Sequence, residues 1–458
     1  MANGKNSALK MGEMPIPKLV IRMAAPAIVS MLVQALYNIV DSIFVSGYSE
    51  AAFSAISLAF PIQIVIIAIA VGLGVGINSM VSRKLGEKDV HGASNSAEHG
   101  IMMFLVLSVV LLFVGMFASK YFFRLFSTDE ILIEYGTIYI SIIMMFSFGR
   151  MITQGFVGIF QGSGNMIVPM ISQILGAVIN MILDPILIYG TVFDIRFCEA
   201  MGVKGAAIAT IIGQISSMIF VIIVFFSREH AVSLKLREFK FSKKILGGIL
   251  SVGLPTAVSQ GIMSVMVGGL NAILSGVSIA AITAVGAYFK INSFVFMPIF
   301  GFAAGVMPIA GYNFGAKNKK RYKQAVRVGA TYALAIATVG AILFLVIPER
   351  LLGIFSLSDE VVRIGKIAFR VLGATFPIIS ISIMLAASMQ AIGKATISMM
   401  SNLMRGIFIL LPLAYIFLTY IGLDYIWYAA PIGEIASIIF LSLNFRKVLR
   451  NWDKPMEV

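Results

Sequence analysis

The chain has 458 residues, of which 59% are apolar and 12% charged, and its mean hydropathy is +0.96. A soluble domain carries about 25% charged residues, so this composition excludes a cytosolic enzyme, a secreted disulfide scaffold, a disordered chain and a nucleic-acid binder. The net charge of +14 comes from 35 basic against 21 acidic residues. The basic ones fall in short loops between apolar runs, which makes membrane lipids, and not nucleic acid, their expected partner.

Residues Met1 to Lys18 are polar and contain no short apolar stretch ending in a small-residue cleavage site, so they are not expected to be a signal peptide. From Leu19 onward, twelve apolar runs are long enough to cross a bilayer core, which takes about 20 residues. Their limits are 19–46, 55–81, 99–119, 134–160, 166–190, 203–226, 246–272, 279–308, 328–347, 366–391, 396–419 and 425–445. Membrane β-strands are about 10 residues long and alternate, so runs of this length predict an all-α polytopic membrane protein. With the N-terminus placed inside, the inner segments hold 24 Lys and Arg and the outer loops 7. Both termini are therefore expected in the cytoplasm of a multi-pass cell-membrane protein.

An ionisable residue inside a span costs about 2.5–3.5 kcal/mol on insertion scales, so such residues are the first candidates for function. In the first span Pro26 predicts a kink and a candidate hinge. Farther along, Gln34, Tyr37, Asn38 and Asp41 share one helical face, and a polar stripe on an apolar helix must face protein or water. The Gly-rich stretch Val71–Asn78 of the second span lies within an apolar run and lacks the Lys-Ser/Thr of a phosphate loop, which favours close helix packing. The fourth span carries Arg150, a candidate counter-ion for an acid of the first half, and Gln154. In the fifth, Asn180 precedes Asp184 by one turn and Pro185 follows, which frees a backbone carbonyl beside them. Asp41, Asp184 and Asn180 could together ligate a hard cation such as Na+. Alternatively, the two carboxylates could share one proton, because neighbouring acids resist carrying two charges. The lone cysteine, Cys198, excludes an intrachain disulfide, and no Cys/His cluster has metal-ligand spacing; no cofactor is expected. A basic stretch, 227–244, separates the halves. Beyond it, the run from Gly253 to Ala281 holds no acid but offers Ser259, Gln260 and Asn271. Lys290, Arg370, Arg405 and Glu434 are the charges of spans 8, 10, 11 and 12. Arg370 is expected to snorkel, and a charge pair within the second half is expected among the others. Gln34, Tyr37, Asn38, Gln154 and Gln260 are the candidates for a substrate cavity.

An offset of 229 residues, half the chain, aligns Pro26 with Pro255, Gly47 with Gly276, Gly72 with Gly301, Gly76 with Gly305, Gly86 with Gly315, and Gln161 with Gln390. Shared spacing of this kind argues for duplication. Six spans per repeat is an even number, so the halves insert with the same topology, as two six-helix bundles related by a pseudo-twofold axis along the membrane normal. The expected divisions are an N-terminal lobe (1–226), a linker (227–244) and a C-terminal lobe (245–458).

The segments Gln34–Ser42, Gly74–Asn78 with Ser82–Gly86, Gln161–Asn165, Asn180–Pro185, Gly202–Thr210 and Pro308–Ala316 resemble the multidrug and toxic compound extrusion (MATE) transporters. The resemblance covers nearly the whole chain and leans toward the subgroup typified by a staphylococcal multidrug exporter. It implies a V-shaped, two-lobed transporter, not an enzyme, that exports small organic cations, amphiphilic in character, in exchange for H+ or Na+. It also implies a first-lobe ion site at Asp41, Asn180, Asp184 and Thr210. Second-lobe acids that some members carry in spans 7 and 10 are absent here. A lipid or oligosaccharide-lipid flippase of the same superfamily is the alternative, and an integral-membrane enzyme is disfavoured because acids and histidines do not cluster at a membrane face. A monomer is expected.

Overall fold

The computed structural model describes residues 4–192, 195–235, 237, 239–355 and 357–452. Helix α1 (Gly4–Glu13) precedes the first span, α2 (Ile16–Tyr48); α3 (Glu50–Gly86), α4 (Val90–Phe117) and the short α5 (Ser119–Phe126) follow. The fourth span consists of α6 (Glu130–Met145) and α7 (Phe148–Gly162), bent by 45°. The first half ends with α8 (Ile167–Tyr189), an antiparallel hairpin of β1 (Thr191–Val192) and β2 (Ile195–Arg196), and α9 (Gly202–Phe226). The second half runs α10 (Lys243–Ser275), α11 (Ile279–Gly315), α12 (Lys319–Val346), the short α13 (Pro348–Gly353), and α14 (Asp359–Gly373) with α15 (Phe376–Ala391), bent by 48°. The eleventh span joins α16 (Ala395–Leu403) to α17 (Leu411–Tyr420) through a π-helical segment, Met404–Leu410. A 3-10 turn (Leu423–Tyr428) then leads into α18 (Ala429–Arg450). Counting each bent pair as one span gives twelve.

Two runs expected to be continuous, 134–160 and 366–391, are thus broken. A hydropathy window records apolar length and is blind to a bend, and only the second break has a nearby proline, Pro377. The ninth span begins at Lys319, nine residues before the apolar run, because Lys319–Arg327 continues the helix as a basic turn outside the apolar layer.

The repeat is legible in the backbone. Ser49 and Ser278 cap α3 and α11, each accepting from the amide three residues on (Ala52 and Ala281). Asp89 and Asn318 cap α4 and α12 in the same way, accepting from Gly92 and Arg321. Lys88 and Lys317 are the two non-glycine residues with positive φ (62° and 55°) among the described residues. All three pairs stand 229 residues apart.

Glycines hold the two halves together. A Cβ on Gly72 of α3 would lie 2.5 Å from the carbonyl oxygen of Gly253 on α10, and one on Gly305 of α11 would lie 2.7 Å from the amide of Ala24 on α2. Gly86 abuts the Tyr312 carbonyl, and its repeat mate Gly315 abuts that of Arg83. Span 2 of each half therefore crosses span 1 of the other, with α3 and α11 meeting at their C-terminal ends. Asn78 contacts its own repeat mate, Met307 (Nδ2 to Sδ, 4.0 Å), which marks the pseudo-twofold axis. Ser79 Oγ adds bonds to the carbonyls of Gln390 and Ala391 (2.8 and 3.0 Å). Toward the other face the halves part. Gly261 and Gly268 of α10 meet nothing within 4 Å, and Gly47 of α2 meets Tyr189 of its own half.

Two lead-in segments brace the closed face. Arg321 donates to the carbonyls of Met11 and Met14 beside α1 (3.1 and 2.8 Å). Ahead of α10, His99 of α4 accepts through Nε2 from the Ser242 amide (2.7 Å), with its Nδ1 on the Asn95 carbonyl (2.7 Å). Large apolar side chains such as Val106, Phe113 and Ile223 remain exposed on the perimeter, as lipid-facing positions must be.

Candidate functional site

Asp184 is fully buried in α8. Asn180, one turn earlier, donates from Nδ2 to Asp184 Oδ1 (3.2 Å) and to Thr210 Oγ1 of α9 (3.4 Å). Thr210 comes within reach because α8 and α9 pack through Gly176 and Gly213: a Cβ on Gly213 would sit 2.6 Å from the Gly176 carbonyl oxygen. Thr210 donates onward to the Ala206 carbonyl (3.0 Å). Pro185 has no N–H for the carbonyl of Met181, which leaves an acceptor beside the cluster. Asp184 Oδ2 and Asn180 Oδ1 are buried without a hydrogen-bond partner. Asp41 of α2 is half-buried, and its carboxyl group meets that of Asp184 at hydrogen-bonding range. Tyr37, one turn before Asp41, faces Thr210. Tyr139 of α6, bonded to Gln63 of α3, closes the far side of Asp41.

A cavity of about 150 Å³ opens beside this cluster between α2, α7, α8 and α9. Of the residues singled out in the sequence, Gln34, Tyr37, Gln154, Asn180 and Thr210 line it. The Asn38 side chain lies outside the described residues. Gln260 does not line it: the residue is exposed on α10, in the other half. The sequence reading missed Gln173 and Gln214. Gln173 donates to Gln34 Oε1 (2.9 Å), which ties α8 to α2 across the cavity. Both were findable, since Gln173 stands two turns before Asn180 and Gln214 one turn after Thr210, each on the same helical face.

Arg150 also lines the cavity and does not pair with Asp41 or Asp184. Its nearest ionisable neighbour is Tyr37, which stands between it and the acids. The expected charge pair of the second half is present: Arg405 Nη1 meets Glu434 Oε1 at 3.1 Å, with 16% and 9% of the side chains exposed. Lys290 takes no part in it and lies 5.7 Å above the Phe355 ring. Arg370 reaches the carbonyl of Leu345 (3.3 Å) at the end of α12, where a cation offsets the helix terminus. The second half has no counterpart of the acid pair. The residues 229 positions on from Asp41 and Asp184, Leu270 and Leu413, pack together in an apolar cluster. Pro26 sits within an unbroken α2, between Ala24 and Ile28, which contact Gly305 and Gly301. It therefore marks the inter-half crossing. Among the described residues no three His, Cys, Asp or Glu side chains group to hold a metal ion.

The profile of the MatE family matches this chain twice, at residues 26–186 and 255–416. The second match begins 229 residues after the first. The multidrug export protein MepA of Staphylococcus saprophyticus is 26% identical over 415 residues, covering 90% of this chain and 89% of that protein. A MATE transporter solved in a straight conformation has a TM-score of 0.90 to this structure at 28% identity, over 98% of this chain and 99% of its own. The same comparison with a MATE structure in a bent conformation gives 0.89 and 28%, over 99% of each chain. This chain is a member of the MatE family of multidrug and toxic compound extrusion transporters.

Proposed function

We propose that this protein is a secondary antiporter that exports cationic amphiphilic compounds in exchange for H+ or Na+, with no chemistry done on the cargo. The observation that carries this reading is the buried Asp184–Asn180–Thr210 cluster, with Asp41 against it, beside a polar cavity in an otherwise apolar half. Two carboxyl groups in contact hold one proton more readily than none, and Asp184 Oδ2, Asn180 Oδ1 and Thr210 Oγ1 supply the oxygen donors that Na+ prefers. Ion binding there neutralises a buried charge and so changes the relative energies of the two orientations of the cavity. The lobes, 1–226 and 245–458, rock about the glycine crossings, with 227–244 as their cytoplasmic connection. The open side of the V then faces outward, and both termini lie in the cytoplasm of a cell-membrane monomer. Pro26 is the hinge by which α2 changes shape beside Asp41, a reading supported by the straight and bent states of the related transporter. A lipid flippase is not favoured, since flippases of the superfamily often have more than twelve spans.

The test is a reconstituted vesicle loaded with a fluorescent organic cation, with either a pH or a Na+ gradient imposed. Gradient-driven extrusion is expected under one of the two. Extrusion under neither removes the antiport reading.

A further inference from the structure

Arg150 is the one charged side chain among the residues lining the first-half cavity, and the lining contains no acid. Among the described residues no carboxylate pairs with it; its neighbour is the uncharged Tyr37 hydroxyl. A guanidinium inside an apolar lobe costs several kcal/mol unless something offsets its charge. The family reading, cargo with a single positive charge, makes this residue repulsive and leaves it unexplained. Its surroundings are those of an anion site. Four glutamines (Gln34, Gln154, Gln173 and Gln214) and Thr153 bring amide and hydroxyl donors to the same cavity. The acids stand on the other side of Tyr37, at Asp41 and Asp184. The cavity and its flank therefore carry two poles of opposite sign.

The geometry points to a zwitterionic cargo, whose carboxylate or other small anionic group is held by Arg150 within the glutamine-lined cavity while its cationic group faces the Asp41–Asp184 pair. This rests on the antiport reading and names the substrate class for it. The planar fork of Arg150 suits two-point binding of a carboxylate. A cavity of about 150 Å³ admits a carboxylate borne on one ring. Protonation of the acid pair then releases the cationic pole and weakens the whole ligand, so the exchange retains its direction. Discrimination is built in, since a cation without the anionic group leaves Arg150 uncompensated.

The test uses rhodamine B, which has a free carboxylate, and its methyl ester, which differs only in lacking that charge. Binding of each to the purified full-length protein is read by fluorescence anisotropy. Wild type is expected to bind rhodamine B about ten-fold tighter than the ester. In Arg150→Gln the preference should fall to about one, and in Arg150→Lys a part of it should return. A second measurement needs no variant: benzoate should displace rhodamine B from wild type, and benzamide should not. Equal affinities of wild type for the two dyes, a preference that persists in Arg150→Gln, or equal displacement by benzoate and benzamide overturns the assignment. In those cases antiport stands as long as vesicles extrude the ester under a gradient. Vesicles that extrude neither dye, together with an intact Arg150-dependent preference, remove the antiport reading and leave the anion site. A wild type that binds neither dye overturns both.

Discussion

At the scale of single residues, an uncompensated charge inside the membrane is expensive, so each one present needs a partner or a task. Asp184 and Asp41 are the pair to which antiport is assigned. Asp41→Asn and Asp184→Asn should each abolish gradient-driven efflux in vesicles while protein yield stays near normal, because a neutral amide inserts more cheaply than an acid. Efflux at wild-type rate in either variant would make that acid structural. Arg405 and Glu434 are different: they pair with each other, and together they add no net charge. Glu434→Gln leaves Arg405 buried and alone, a loss of about 3–5 kcal/mol. A lowered melting temperature is expected, with most of it recovered in the double variant Arg405→Met/Glu434→Leu. Should Glu434→Gln stop transport while Asp184→Asn does not, ion coupling lies in the second half. From spacing alone Asp41, Asn180 and Asp184 were recognisable, since each breaks an apolar run at helical intervals. The partnership of Arg405 with Glu434, and the isolation of Arg150 from both acids, required coordinates. Sequence places a charge along a helix, but not the neighbour that helix presents to it.

At the scale of helices, the glycine crossings decide how the halves meet. Gly305→Leu drives a branched side chain into the backbone of α2 at Ala24, and overpacking of this kind costs about 1–3 kcal/mol or more. Gly268→Leu on α10 meets nothing within 4 Å and gains helix propensity of about 1 kcal/mol. Melting in detergent should therefore fall for the first and hold or rise for the second; equal effects would remove the crossing from the account of stability. Pro26→Ala restores a helical donor to α2 and should slow efflux while leaving dye binding in place. Unchanged efflux would reduce Pro26 to a static feature of the crossing. The bends between α6 and α7 and between α14 and α15 were invisible in the hydropathy, because a broken helix and a straight one have the same composition. The long apolar runs themselves were legible to within a few residues at most ends.

At the scale of the whole molecule, transport by rocking requires the closed face to open. Met80 of α3 packs against Gly248 of α10, where a Cβ would lie 2.5 Å from its terminal methyl group. A short bismaleimide bridge between Met80→Cys and Gly248→Cys, with Cys198→Ser as background, should form readily and block efflux. Full cross-linking with efflux intact would show that this face does not part. Accessible tags at the N-terminus and within 227–244 should report the same side of the membrane, and opposite sides would break the parallel repeat.

Composition by itself determined that the chain lives in a bilayer, because no soluble fold has enough interior for 59% apolar residues. The count and length of runs determined the spans, since a bilayer sets element length. The 229-residue echo determined that there are two related halves. Tertiary structure alone decided how those halves touch: span 2 of each crosses span 1 of the other, closing one face and leaving the other apart. It alone decided that Gln173 and Gln214 join Gln34 in one cavity, that Gln260 stands outside it, and that Tyr37 separates Arg150 from the acids. The physical reason is that periodicity records which face of a helix is polar, whereas packing at close-approach glycines selects which polar faces meet. That selection depends on contacts between residues tens to hundreds of positions apart, and no local pattern encodes them.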